Sequence, residues 1–124
     1  MRGIKLFMAA LLTSAVLAQS TIADEAITKT VAAIHAERAQ LNGQLVTIKG
    51  KIVKVNNGIM KRNFLHLQDG SGSEGTNDLT ITSQQTASVN DEVIITGKVI
   101  LDRDFGLGYN YPLIMEEATI SPAK

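Results

Sequence analysis

Residues 45–70 read LVTIKGKIVKVNNGIMKRNFLHLQDG, and their pattern decides the fold. Val46 and Ile48 alternate with Thr47 and Lys49, so one face of a strand can be buried and the other wetted. Gly50 interrupts the run, and a glycine inside a strand pattern marks a bend or the close approach of another backbone. Beyond it the apolar positions Ile52 and Val55 are three apart rather than two. One residue must be absorbed, which predicts a bulge near Val53–Lys54. A long strand bent in this way can pair with both halves of a closing sheet, as a five-stranded barrel of the OB type requires. A plain hairpin in an open meander is the alternative.

The pattern of the following residues extends that scheme. Asn57-Gly58 is a turn signal, because both residues tolerate positive φ. Ile59 and Met60 are apolar beside it and should tuck under the sheet or line a site. Lys61, Arg62 and Asn63 then lead into a second strand. Along it Leu65 and Leu67 are assigned inward, leaving Phe64 and His66 on the outer face beside two cations. Asp69 to Gly75 reads as a flexible loop. Its glycines lack the Gly-Lys-Ser/Thr and the following helix of a phosphate loop. Asp78–Thr82 is the third strand, with Leu79 and Ile81 inward and Thr80 and Thr82 outward, and Ser83–Asp91 is a polar linker. Glu92–Leu101 is the fourth strand, bent at Gly97, with Val93, Ile95, Val99 and Leu101 inward. Asp102–Asn110 (DRDFGLGYN) is a hairpin loop with Gly106 and Gly108 at special backbone angles. Tyr111–Ile120 is the last strand, opened by Pro112 where its missing N–H does least harm. Glu116 and Glu117 are adjacent and so point to opposite faces.

Ahead of the long strand, residues 25–41 predict an amphipathic helix. Ile27, Val31, Ile34 and Leu41 fall at helical spacing, and Ala32, Ala33, Ala36 and Ala39 favour it. Asp24 or Thr28 would cap its start, and Asn42-Gly43 would stop it. Its stripe should plug one end of the barrel, with His35 packed at the edge and Arg38 reaching round to solvent.

The first 23 residues have a different character. Arg2 and Lys5 precede an apolar run from Leu6 to Ala18, too short for the roughly 20 residues of a membrane span. Thr21-Ile22-Ala23 then suits signal-peptidase cleavage, with Ala18 as a second site. The expected organisation is a signal peptide over 1–23 and one OB-fold domain over 24–124, helix at about 25–41 and barrel at about 44–120. The product would be periplasmic or secreted, soluble and monomeric. It would carry no membrane anchor after cleavage, because no cysteine is available for lipidation.

The absence of cysteine also removes disulfides, thiol catalysis and thiolate metal sites. Two histidines, no Gly-x-Ser-x-Gly elbow and no His-x-x-x-His or Asp-x-Asp-x-Asp-Gly spacing leave no nucleophile, base or metal set. No catalysis, cofactor or metal is expected. Asp104-Phe105-Gly106 matches a kinase metal-binding tripeptide, but the rest of a kinase is missing. The formal net charge of zero conceals an asymmetry. Residues 38–68 hold six bases and no acid, whereas 69–124 hold nine acids against three bases. The first half therefore permits an anionic-ligand face, or the two halves attract each other across the barrel.

Taken together, 45-LVTIKGKIVKV-55, 57-NGIM-60, 63-NFLHLQDGSG-72, 104-DFG-106, 108-GY-109 and 111-YP-112 resemble the exported bacterial OB-fold proteins commonly labelled nucleotide-binding or DNA-binding. These are relatives of the anticodon-binding-type OB domain. The similarity runs from about Val31 to Ile120, with Phe64 standing where that pattern usually has tryptophan. The resemblance implies a ligand face on strands two and three with the flanking loops. The candidate residues are Lys61, Arg62, Asn63, Phe64, His66, Arg103, Phe105, Tyr109 and Tyr111. Its partner would be a nucleotide or single-stranded nucleic acid, held weakly because few cations are in range. The other class of partner, favoured by export and by a separate exported OB family of stress-related envelope proteins, is a periplasmic protein or glycan.

Overall fold

The structure, a computed structural model, describes residues 25–123. The signal peptide over 1–23, its cleavage sites and the helix cap expected at Asp24 lie outside the described residues. The elements are β1 (Ile27–Thr28), α1 (Val31–Ala36), α2 (Arg38–Leu41), β2 (Leu45–Ile59), β3 (Arg62–Gln68), β4 (Leu79–Ser83), β5 (Glu92–Asp104) and β6 (Asn110–Pro122). The described residues are mainly β, with six strands in one sheet and two short helices. Among the described residues no helix is long and apolar enough to cross a membrane.

Strand β2 performs the double pairing that its glycine and bulge foreshadow. Leu45–Lys51 pairs antiparallel with β5, and Lys51–Ile59 pairs antiparallel with β3. Strand β3 continues antiparallel to β4, β4 lies parallel to β6, and β6 returns antiparallel to β5. The five strands β2–β6 thus form a ring of pairings that comes back to its start. Gly50 sits at the changeover: a Cβ there would lie 2.6 Å from the Gln68 carbonyl oxygen and 2.8 Å from Leu67 Cδ2. The pairing steps from Ile52↔Leu67 to Lys54↔His66, leaving Val53 as the extra residue. Gly97 repeats the arrangement on β5, where a Cβ would meet Met115 Cγ at 2.6 Å.

The interior is built from the expected alternation. Val46, Ile48, Ile52, Leu65, Leu67, Ile81, Ile95, Val99 and Met115 are fully buried in one cluster, and Val31, Ile34 and Leu41 of the helices join it. Leu101 is half-buried against it.

Three expectations are corrected. The single helix over 25–41 does not form. Ile27 and Thr28 instead add a sixth, parallel strand to β2 (Ile27↔Val46, Thr28↔Thr47), and the Lys29 N–H donates to the Thr47 carbonyl at 3.0 Å. They can do so because β3 pairs with β2 only from Lys51 onward, leaving the edge of β2 at Val46–Thr47 open. The helix begins later, capped by Thr30, whose Oγ1 accepts from Ala33 N at 3.1 Å, and a break at Glu37 (φ −107°, ψ 16°) divides it. The hairpin turn is not at Asn57-Gly58. Ile59 pairs with Arg62, so Met60 (φ 51°) and Lys61 (φ 66°) supply the positive φ that a two-residue hairpin loop demands. Asn57-Gly58 forms a bulge opposite Asn63, with Gly58 at φ 74°. Finally, Thr82 is buried rather than outward-facing and solvated. It pairs with Phe64, and that part of the outer face is covered.

The glycine-rich stretch after β3 is tied down at its start. Asp69 Oδ2 accepts the Val31 N–H at 2.9 Å and Ser71 Oγ accepts the Ala32 N–H at 2.9 Å, satisfying two orphan donors of α1. Ser71 also donates its own N–H and hydroxyl to Asp69 Oδ1. Burial disfavours the charge on Asp69, but the Ser71 hydroxyl and the N–H groups of Val31 and Ser71 outweigh it and hold the carboxyl below its ordinary value.

Candidate functional site

Outer-face residues of the β2–β3 hairpin begin the site. The register sets Lys54 beside His66 and Asn56 beside Phe64, and Ile59 closes the row before the turn. Over them folds the loop between β5 and β6. Phe105 N–H donates to the Tyr109 carbonyl at 2.9 Å, Tyr109 N–H to the Gly106 carbonyl at 3.0 Å, and Gly106 N–H to Asp104 Oδ1 at 2.7 Å. Gly106, Leu107 and Gly108 all take positive φ. That tight reversal carries Phe105 and Tyr111 onto Phe64.

The three rings form one cluster. Phe64 and Phe105 meet edge-on at 5.6 Å between centroids, Phe64 and Tyr111 lie at 5.9 Å with planes tilted by 34°, and Phe105 and Tyr111 meet edge-on at 5.9 Å. Two guanidiniums lie over Phe105, Arg103 at 4.2 Å and Arg62 at 4.9 Å from its centroid. Arg103 is held by Glu116, Nε to Oε2 at 2.7 Å. Each cation over a ring adds roughly 0.5–1 kcal/mol at a partly exposed site.

Beside this cluster opens a cavity of about 280 Å³. Its walls are Lys54, Asn56 and Ile59 of β2, Phe64 and His66 of β3, and Tyr109 and Tyr111 from the covering loop and β6. Tyr109 is 43% exposed. His66 is oriented from behind: its Nδ1 donates to Asp78 Oδ1 at 2.8 Å, and Gln68 Nε2 donates to Asp78 Oδ2 at 3.3 Å. A larger groove, about 450 Å³, runs over Lys49, Gly50, Lys51, Gln68, Asp69 and Glu92. No aromatic lines it, and its charges are of mixed sign.

The structure brings seven of the nine candidate residues together, in two layers. Phe64, His66, Tyr109 and Tyr111 line the cavity, while Arg62, Arg103 and Phe105 buttress it. Phe64 differs from expectation in being only 4% exposed; Phe105 and Tyr111 pack against it, and it offers no open stacking face. Two candidates stand apart. The exposed Lys61 occupies the turn, where its carbonyl accepts from Gln84 Nε2 at 2.9 Å. Asn63 is a brace: its Oδ1 accepts the Gly58 N–H at 2.9 Å and its Nδ2 donates to the Gln85 carbonyl at 3.0 Å. Ile59 lines the cavity, one of the two places expected for it, whereas Lys54, Asn56 and Asp78 were missed. A turn at Met60-Lys61 together with the one-residue shift at Asn57-Gly58 sets Lys54 and Asn56 across from His66 and Phe64, and neither feature shows in the local pattern. His35, half-buried on α1, donates Nε2–H to the Asp78 carbonyl at 2.8 Å.

Such a cavity can hold a flat ring against Tyr109 and Tyr111 and an anionic group against Lys54 and His66. The lining holds no serine, threonine or cysteine. Among the described residues no cluster of three or more His, Asp or Glu is arranged for a metal.

No protein-family model and no curated protein sequence matches the chain. Solved structures do. An asparaginyl-tRNA synthetase of Entamoeba histolytica, determined in complex with asparaginyl-adenylate, matches with a TM-score of 0.55 at 17% identity, over 80% of this chain and 24% of its own. A chain assigned as an aspartyl-tRNA synthetase of Leishmania major Friedlin matches with a TM-score of 0.53 at 14% identity, over 87% of this chain and 23% of its own. At that identity the likeness is one of fold, and this chain has the fold of a segment about a quarter the length of each synthetase.

Proposed function

We propose that the protein is an exported OB-type binding module that holds a nucleotide, or one nucleotide of a single strand, in the cavity between the β2–β3 hairpin and the β5–β6 loop. The ring of pairings through five strands, with Val31, Ile34 and Leu41 of the helices in its core, supports reading it as an OB barrel, whose hairpin loops flank one ligand face. Synthetase segments of like fold act in proteins named for tRNA, and an anticodon-binding-type barrel is the part of such an enzyme this chain would correspond to. The observation that carries the reading is the cavity itself, which sets two tyrosines, one of them well exposed, beside a lysine and an oriented histidine. Base stacking on such rings contributes about 1–3 kcal/mol per base. With Lys54 and His66 the only basic lining residues, affinity stays weak and its salt dependence shallow, about 0.7 log unit per phosphate contacted on a single strand. The module has no catalytic role.

A two-dimensional NMR titration with a mononucleotide, a short oligonucleotide and a muropeptide tests the proposal. Shifts confined to residues 54–68 and 102–111 on adding either nucleotide ligand are expected. Shifts elsewhere, or none, would sink it. The second reading, docking of a periplasmic protein or glycan, is favoured by Leu107, which stands 94% exposed at the tip of the covering loop. Muropeptide shifts centred on Leu107 and Tyr109, without a nucleotide response, would select it.

A further inference from the structure

Both histidines of the chain converge on one residue that the site as described so far uses only as a support. Asp78 takes the His66 Nδ1–H on its carboxylate and the His35 Nε2–H on its backbone carbonyl. Because a carboxylate can only accept, the His66 proton is committed to Nδ1, and Nε2 is the ring nitrogen left for the cavity that His66 lines. We infer that Asp78 positions His66 as the anion-recognising group of the cavity, and that binding of a phosphate ester there takes up one proton at His66 Nε2. The inference rests on the nucleotide reading of the cavity and specifies how its phosphate is read.

The charge arrangement supports this. A neutral imidazole with Nδ1 protonated presents a lone pair at Nε2, which repels a phosphate oxygen. Protonation at Nε2 turns that lone pair into a donor, with the imidazolium held between the Asp78 carboxylate behind and the ester in front. An opposite charge at hydrogen-bond distance on each side favours the charged ring. The other groups facing His66 do not replace it. Lys54, across on β2, is an exposed ammonium that adds positive charge to the same space. Thr80, across on β4, does not titrate in this range. Tyr109 and Tyr111 supply flat surface and hydroxyls from the covering loop and β6, and His35 on α1 bonds the Asp78 carbonyl and is not part of the cavity lining. Imidazoles as a class change charge between about pH 5 and 8, the range over which the coupling is tested. The ligand class follows: a nucleoside phosphate ester is held in preference to the bare nucleoside, and the preference grows as pH falls.

The test compares adenosine with the methyl ester of adenosine 5′-phosphate, whose single diester charge is constant from pH 6 to 8. Calorimetry on the full chain at both pH values, in buffers of different protonation enthalpy, reads the affinity and the protons taken up. Expected is a diester affinity higher at pH 6 than at pH 8 by about fivefold or more, within the limit of tenfold per pH unit for one proton, and an adenosine affinity that does not change. His66→Gln should abolish the pH dependence and His35→Gln should keep it. Asp78→Asn, which retains an acceptor for Nδ1–H but loses the charge, should reduce the proton uptake; if that variant fails to fold, the histidine pair carries the assignment. Diester binding of equal strength at both pH values, with no proton uptake, overturns the role of His66 and leaves the nucleotide cavity standing. Binding of neither ligand at either pH overturns both.

Discussion

Phe64 illustrates how a side chain on the wet face of a strand can become structural. At 4% exposure beneath Phe105 and Tyr111, its truncation should resemble a core lesion. Phe64→Ala is expected to destabilise by about 3–5 kcal/mol, measured by urea unfolding, and therefore cannot serve as a clean probe of binding. Tyr109, 43% exposed, can. Tyr109→Ala should leave the unfolding midpoint nearly unchanged while weakening nucleotide binding by about 1–3 kcal/mol per stacked base. Asp69 offers a test by pH. Its carboxyl is held below the ordinary value of 3.8 by Ser71 and the N–H groups it accepts. A depressed folded-state value contributes stability above the unfolded value and loses it as pH falls through the folded one. Asp69→Ala should therefore be less stable than the parent at neutral pH, by about 1 kcal/mol as for a lost helix cap. The difference should shrink as pH drops below about 3.8, which thermal melts across pH 2–7 would follow.

At the level of elements, the β2–β3 hairpin and the bend at Gly50 are the places where backbone geometry dominates. Met60 and Lys61 hold positive φ without being Asn or Gly, a conformation that L side chains adopt at a cost. Replacing the pair by Asn-Gly should raise stability by about 0.5–2 kcal/mol and leave ligand affinity alone, since neither residue lines the cavity. An unchanged or lowered melting temperature would mean that Met60, half-buried in the turn, contributes packing that outweighs its backbone strain. Gly50→Ala tests the opposite situation. Its Cβ would press on the Gln68 carbonyl and on Leu67, and the backbone oxygen cannot step aside without breaking the Lys51↔Gln68 pairing. A loss of about 1–3 kcal/mol is expected. The same substitution also says whether β2 must bend here for its two halves to serve β5 and β3.

At the scale of the whole molecule, the ring of pairings is closed by contacts distant in the chain: β2 to β5 and β4 to β6. The β5–β6 loop reaches Phe64 only because β6 is parallel to β4, next to β3, and β5 is antiparallel to β6. Site and closure are therefore linked, and a substitution that loosens the β4–β6 seam should loosen the aromatic cluster. Ser83, whose hydroxyl donates to the Ala118 carbonyl at 2.6 Å, lies in that seam. Ser83→Ala should leave the Ala118 carbonyl without that donor in a buried setting and cost about 1–3 kcal/mol. It should also increase the mobility of the Phe105 and Tyr111 rings, visible as NMR line broadening.

How much of this was legible in the chain depended on the range of the forces involved. Strand identity, the inward faces of Val46, Ile48, Leu65, Leu67, Leu79 and Ile81, the bulge at Val53 and the crowding at Gly50 follow from side-chain period and from the lack of a Cβ, which are properties of a few neighbouring residues. The aromatic, cationic composition of the candidate face was legible for the same reason. What the tertiary structure alone decided involved choices between local options of similar energy. Asn57-Gly58 is the better isolated turn, but the register imposed by β3 against β4 and β2 places the reversal at Met60-Lys61. Residues 27–28 suit a helix by period, but an open edge of β2 offers them a ladder. Phe64 alternates as an outward residue, but a loop some 40 positions later buries it. In each case an interaction between segments far apart in sequence outweighed a local preference that the sequence pattern expressed correctly.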